Sequence, residues 1–514
     1  MDHANSSGKP LSQPSLDAKS RRIRWSGSGF ACGLCLWLGT GLATAENWNL
    51  PYARPATYNF SSLYAPLLSA YLTSTKPDYF KAELVKAWTF YKANFISANG
   101  LVNHKRLENG AQIGANEAVS EGQGYGTLLA VLMNDQATFN KIFEAANANM
   151  WDAGHKSYYY WNIKSGSKSE GAATDADLDI GLALVFADEL QKAKLWTAYS
   201  SGGVTYNSRA MEIIKSIKAN MTSSDNYLLP GDKWASDGVN NLNPSYFCTA
   251  WLKVFNAYQK EVDFTAVIAN CYAVLAKTPR YSFGQAPDWC NTSGGQSSQG
   301  GSKAEQGLGM LSDAIRTPYR IAMDALWFND ERAIAYCKNV KRTLTEYNNA
   351  NSKVLAAQMA LYSKSGVATV ESQGSFDNVA MWTCGALGSK DTEFTQKVVS
   401  TNTVALIAGS ASDFFGDVSL QDDKFYFKQS LAMLGFAAIG GQFPNIQADV
   451  KLPVSVVPGL TASKAKVSLH GIRTATPVWL TQEGVPSTSA TSAYSPKTEG
   501  FYRNALGQLA PPLR

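Results

Sequence analysis

Between Tyr79 and Ile439 the chain is one helix-periodic segment after another, and this repetition constrains the fold more than any other feature. Apolar residues recur at three- and four-residue spacing over Tyr79–Ile96, Glu117–Asn134, Gln136–Met150, Asp175–Trp196, Asn207–Met221, Pro244–Gln259, Phe264–Lys277, Asp313–Trp327, Glu331–Asn348, Asn378–Leu387 and Phe425–Ile439. The breaks carry Gly, Asn, Ser and Pro. Eleven or twelve helices, taken two by two, exceed what a small bundle holds and predict an all-α toroid of helical hairpins, with loops around a cleft at one end. A hydrophobic share of 45% with only 17% charged residues supplies the core such a toroid needs.

The two ends have a different texture. Arg21, Arg22 and Arg24, the apolar run Phe30–Leu42 and the small residues Ala43–Ala45 read as an export signal cleaved near Ala45. The mature protein is therefore expected to be secreted: extracellular, at the cell surface or periplasmic. Ser20-Arg21-Arg22 partly resembles a twin-arginine signal. The apolar run is too short for a bilayer, so no membrane span is expected. Asn47–Pro77 reads as an extended lead-in, and residues 444–514 as a C-terminal tail or small β appendage, with the short β-like runs VSVV, AKVSL and TPVWL. The expected division is a signal over 1–45, a catalytic domain over 46–443 and the appendage over 444–514.

Several function classes drop out. The net charge of +5 is spread without a basic stripe, which argues against nucleic acid as a partner. Of seven cysteines, Cys32 and Cys35 leave with the signal; the remaining five are an odd number without zinc-site spacing, and no disulfide scaffold is implied. Four histidines, none near an acid or cysteine cluster, speak against a metal centre or a Ser-His-Asp triad, so neither metal nor cofactor is expected.

Three acidic stretches remain. Glu121 lies among Gly122, Gly124 and Gly126 and shares a helical face with Tyr125, Leu128 and Leu132. Burial without a counter-charge would raise its pKa and leave it a proton to donate, though buried acids also serve simply to satisfy backbone groups. The glycines imply close approach by a sugar ring or a packed helix. Asp175, Asp177 and Asp179 open a strongly apolar helix; capping accounts for one of them, taken to be Asp177. Asp313 begins another helix with Arg316 one turn on, which is either a helix pair or part of a site.

The blocks EGQGYGTLLAVLMND, GAATDADLDIGLAL, LLPGDKW, NPSYFCTAW, PDWC, SDAIRTPYR and SLAMLGFAAIGGQFP, in that order, resemble bacterial glycoside hydrolase family 8, most closely its endo-acting cellulases, from about Asn59 to Asn445. The resemblance implies an (α/α)6 barrel with an acidic groove across one end and inversion at the anomeric carbon. By position it makes Glu121 the general acid, Asp313 the general base, Asp175 the acid that holds the distorted sugar, Tyr246 a positioner of the attacking water and Arg316 the residue that orients Asp313. Trp161 and Trp234 become sugar platforms, and Trp289 and Tyr426 match groove positions.

An inverting hydrolase needs a protonated and an ionised carboxyl roughly 6.5–9.5 Å apart, with water between base and sugar. Many relatives carry Tyr before the base where this chain has Ser312. The reading is a monomeric endo-β-1,4-glucanase acting on β-glucan polysaccharide. Xylan or chitosan is the alternative substrate, and a glycan-binding barrel without catalysis the alternative class.

Overall fold

The computed structural model describes residues 79–103, 117–152, 154, 156–164, 166–233, 239–297, 308–346, 358–369, 372–404, 406–407, 415, 425–449, 502–503 and 509–510. These all belong to one unit, Glu46–Arg514. The export signal, the lead-in, the β-like runs of the tail and Trp234 lie outside the described residues.

Twelve helices of seven residues or more alternate between two roles among the described residues. Six of them form the inner wall: α2 (Ser120–Leu132), α4 (Thr174–Lys192), α6 (Thr249–Tyr258), α8 (Thr317–Phe328), α10 (Phe376–Gly388) and α12 (Phe425–Ile439). Each packs on the next, and α12 packs back on α2, which closes the ring. The other six lie outside it: α1 (Tyr79–Phe95) on α12, α3 (Gln136–Met150) on α2, α5 (Tyr206–Asn220) on α4, α7 (Thr265–Lys277) on α6, α9 (Glu331–Glu346) on α8 and α10, and α11 (Thr392–Val398) on α10. The result is an (α/α)6 barrel.

The sequence explains which helix goes where. Every residue of α4 from Thr174 to Leu190 is buried, as a helix must be that meets neighbours all round. In α9, by contrast, burial follows one stripe, Ala333, Ile334, Cys337, Val340 and Leu344, with charged residues between. Ends are set locally. Asp135 accepts the Thr138 N–H at the start of α3, Thr205 and Ser208 form a reciprocal cap on α5, and Asn329 takes a left-handed φ of 52° after α8.

Two of the glycines of α2 serve close packing. A Cβ on Gly124 would come within 2.9 Å of the Asp179 Cβ on α4, and one on Gly126 within 2.7 Å of Val102. Close approach by a neighbouring segment, rather than by a sugar ring, accounts for both.

Three local features depart from the expected helices. Pro244–Gln259 is divided into a 3₁₀ turn, Pro244–Tyr246, and α6, because Asn243 Oδ1 takes both the N–H and the hydroxyl of Ser245 and starts a side-chain-held turn. Asp313–Trp327 likewise opens with a 3₁₀ turn, Ala314–Arg316: Pro318, in the first turn of α8, has no N–H to give to the Ala314 carbonyl. Finally, α11 was not expected, since seven residues are too few to show a period.

A three-stranded antiparallel sheet also escaped the periodicity. Strands β1 (Ala118–Val119), β2 (Asn162–Lys164) and β3 (Ser167–Lys168) pair in that order, with Val119 opposite Asn162 and Ile163 opposite Lys168. It ties the start of α2 to the segment carrying Trp161, whose carbonyl accepts the Ser120 N–H at 3.0 Å. Among the described residues no helix is long and apolar enough to cross a membrane.

Candidate active site

Arg316 is the centre around which the acidic residues gather. Its side chain is 1% exposed, and Nη1 donates to Glu121 Oε2 at 2.6 Å and to Asp175 Oδ2 at 2.7 Å. The same nitrogen reaches the Tyr125 hydroxyl at 3.0 Å. From Nη2 a bond runs to Ser245 Oγ at 2.9 Å and a longer contact to Asp313 Oδ1 at 3.4 Å. The guanidinium lies over the Tyr246 ring, 5.3 Å from its centroid. Four segments distant in sequence, α2, α4, the Asn243–Tyr246 turn and the turn into α8, thus meet at one cation.

The expected Asp313–Arg316 pair is present but is the longest of the cation's acidic contacts. Glu121 is not an acid among apolar groups alone. It carries a counter-charge and a second donor, Tyr426, whose hydroxyl gives its hydrogen to Oε1 at 2.6 Å. Burial nonetheless wins: it pushes the Glu121 carboxyl up to about 7 against the pull of Arg316, with the charges of Asp175 and Asp313 also raising it. One guanidinium cannot balance three carboxylates. An excess of negative charge in a poorly solvated site favours retention of a proton, and Glu121 is where it is held.

Asp313 differs by being open to solvent. Its side chain is 35% exposed, and Asn243 Nδ2 donates to its Oδ2 at 3.1 Å. Asp175 is 2% exposed, and its Oδ1 has no hydrogen-bond partner among the described residues. Burial, then the charges of Asp175 and Asp313, hold the Tyr246 phenol well above its ordinary value, so it stays a neutral O–H.

The other two acids of α4 have separate work. Asp177 does not cap its own helix: the N-cap is Ala173, with no side-chain cap. Instead Asp177 Oδ1 accepts the Tyr159 N–H at 3.1 Å, and burial raises its pKa well above the usual carboxylate range. Asp179 makes a two-pronged pair with Arg320 and accepts from Trp251 Nε1 at 2.8 Å, a buried cross-link between α4, α6 and α8.

Trp161 and Trp289 are both half-buried. Tyr426 is buried, and its hydroxyl serves Glu121. Periodicity placed Tyr125 on the face of Glu121 but did not single out Asn243, Ser245 or Asp288, although all three lie inside the quoted blocks, where a polar residue in an apolar context was the available signal. Among the described residues no group of three His, Cys, Asp or Glu side chains could hold a metal ion, and the five described cysteines are buried and free.

Residues 55–437 match the family described as "Glycosyl hydrolases family 8". The chain belongs to glycoside hydrolase family 8. This family 8 chain is 30% identical over 414 residues to Endoglucanase A of Acetivibrio thermocellus, covering 78% of the chain and 77% of that relative. It is 28% identical over 421 residues to Endoglucanase 2 of Ruminiclostridium josui, covering 80% and 81%. Among solved structures, the apo β-1,3-1,4-glucanase from Paenibacillus sp. X4 matches with a TM-score of 0.57 at 23% identity, over 71% of this chain and 92% of that one. Rex8A from Paenibacillus barcinonensis, complexed with xylose, matches with a TM-score of 0.58 at 17% identity, over 75% and 98%. At those identities the structural likeness speaks for the barrel alone.

Proposed function

We propose that this family 8 glycoside hydrolase is a secreted, inverting endoglucanase that cuts internal β-1,4 bonds of cellulose or mixed-linkage glucan. The observation that carries the reading is the division of labour at Arg316. A proton-holding Glu121 and a solvent-accessible Asp313 sit on the two arms of one guanidinium. Those two contacts and the width of a planar guanidinium put the facing carboxyl oxygens at most about 8 Å apart. That ceiling reaches the spacing at which water fits between base and sugar.

In this mechanism Glu121 gives its proton to the glycosidic oxygen as the bond to the anomeric carbon breaks. Asp313 takes a proton from water attacking the opposite face of that carbon. Asp175, with one oxygen on Arg316 and the other without a donor, accepts a sugar hydroxyl and holds the ring in its distorted form. Tyr246 stays neutral and offers its hydroxyl to the water. Arg316 keeps the carboxyls in register and balances the charge that moves between them. Trp161, Trp234 and Trp289 supply apolar faces for further rings. Ser312, where relatives often have tyrosine, leaves the base in place and is expected to change binding or rate. Two relatives named endoglucanases, each aligned over more than three quarters of its length, support glucan as substrate.

The decisive experiment is hydrolysis of a defined cello-oligosaccharide followed by NMR. The first product is expected in the α configuration, and a β first product would exclude inversion. Glu121→Gln is expected to lower kcat by about 10²–10⁴-fold, the span of general acid catalysis. A panel of carboxymethylcellulose, barley glucan, xylan and chitosan fixes the substrate, and activity on xylan or chitosan alone would overturn the glucan assignment.

A further inference from the structure

Asp313 sits in a turn, so something must hold it against the water it deprotonates. Its side chain makes no cap bond to the turn, is partly open to solvent and meets Arg316 only at 3.4 Å, while Arg316 Nε holds its carbonyl oxygen at 3.1 Å. The turn is also held from outside. Oδ1 of Asp288 accepts the Leu311 N–H at 3.0 Å and the Ala314 N–H at 2.8 Å, bracketing Asp313 on both sides. The Asp288 N–H in turn donates to the Gly309 carbonyl at 2.9 Å. Two antiparallel bridges anchor the flanks: Leu242 with Cys290, at 2.7 and 2.8 Å, and Met310 with Tyr362, at 2.8 Å in both directions. The first of these runs directly into Asn243, the donor to Asp313 Oδ2.

We propose that Asp288 is a positioning residue for the base: through one carboxyl oxygen it clamps the backbone on either side of Asp313 and sets where that carboxylate meets the attacking water. The inference rests on Asp313 being the base. Burial, then the neighbouring charge of Asp313, pushes the Asp288 carboxyl up to about 8, opposed by the two N–H donors. The clamp needs only an accepting oxygen at this place, which an asparagine amide reproduces.

The test measures kcat and KM of the full chain on cellohexaose for Asp288→Ala, Asp288→Ser, Asp288→Asn and Asp313→Ala, with circular dichroism as a check of folding. Misplacing a reacting group by about 1 Å costs about 100-fold, so Asp288→Ala is expected to lose about that much in kcat with KM changed less than about threefold. Asp288→Ser, too short to reach both N–H groups, is expected to match it, and stands in for it should the alanine variant not fold. Asp288→Asn, which keeps the acceptor, is expected to recover kcat to within about fivefold of the parent. Parent-like kcat in Asp288→Ala or Asp288→Ser, or an Asp288→Asn enzyme as slow as either, overturns the positioning role. Parent-like kcat in Asp313→Ala overturns instead the reading of Asp313 as base.

Discussion

At the scale of single residues, the site works by having fewer positive charges than negative ones. Arg316 faces three carboxyls, and the shortfall, with burial, keeps a proton on Glu121 near neutral pH. The acid form is populated below about pH 7, so the alkaline limb of the kcat profile is expected near that value. Tyr426 tunes this limb. Its O–H stabilises the Glu121 carboxylate and lowers the pKa, so Tyr426→Phe is expected to move the limb to higher pH by up to about one unit. A limb that stays in place or moves downward would show that Glu121 does not set it. The fully buried Asp179–Arg320 pair is a contrasting use of the same chemistry. There the charges match and bond to each other and to Trp251, so the pair belongs to the frame that holds α4 against α6 and α8.

At the scale of elements, the contact between α2 and α4 decides where Glu121 and Asp175 lie, because these helices carry them. Gly124 permits that contact. A methyl group there would sit 2.9 Å from the Asp179 Cβ and 3.3 Å from the Ala176 carbonyl oxygen. In an open helix, Gly→Ala would stabilise by about 1 kcal/mol. Here overpacking against backbone outweighs that gain, and Gly124→Ala is expected to destabilise by about 1–3 kcal/mol, measured by urea unfolding. A stabilised variant would mean the two helices separate at little cost.

At the scale of the whole molecule, stability should depend on pH in a direction set by the buried acids. Glu121, Asp177, Asp288 and Asp377 all have raised pKa values in the folded chain, burial being the largest cause in each. A group with a raised folded pKa stabilises fully below its unfolded value and loses that contribution as pH rises through the folded one. Glu121 and Asp288 place the loss between the ordinary carboxyl range and about pH 8. Tm by calorimetry is expected to fall by at least about 3 °C from pH 5 to pH 8.5. A flat or rising Tm would contradict it. A chain ending after Asp449 keeps all twelve barrel helices. It is expected to hydrolyse soluble glucan at the parent's rate, and folding without activity would give the tail a catalytic part.

The sequence by itself determined the longer helices and the identity of Glu121, Asp175 and Asp313 as acids in unusual settings, because apolar period and helix-start chemistry are local properties. The turns at Pro244 and Pro318, the short α11 and the two- and three-residue strands were not legible, since each is set by side-chain hydrogen bonds or is too brief to carry a period. Only the tertiary structure decided which partner each acid meets. Arg316 lies three residues from Asp313 yet binds more closely to Glu121, 195 residues away in sequence, and Asp288 holds Leu311 and Ala314 from a different segment. Charge pairing acts through space and burial is settled by the closing of the ring. The protonation of Glu121 is therefore a property of the folded barrel.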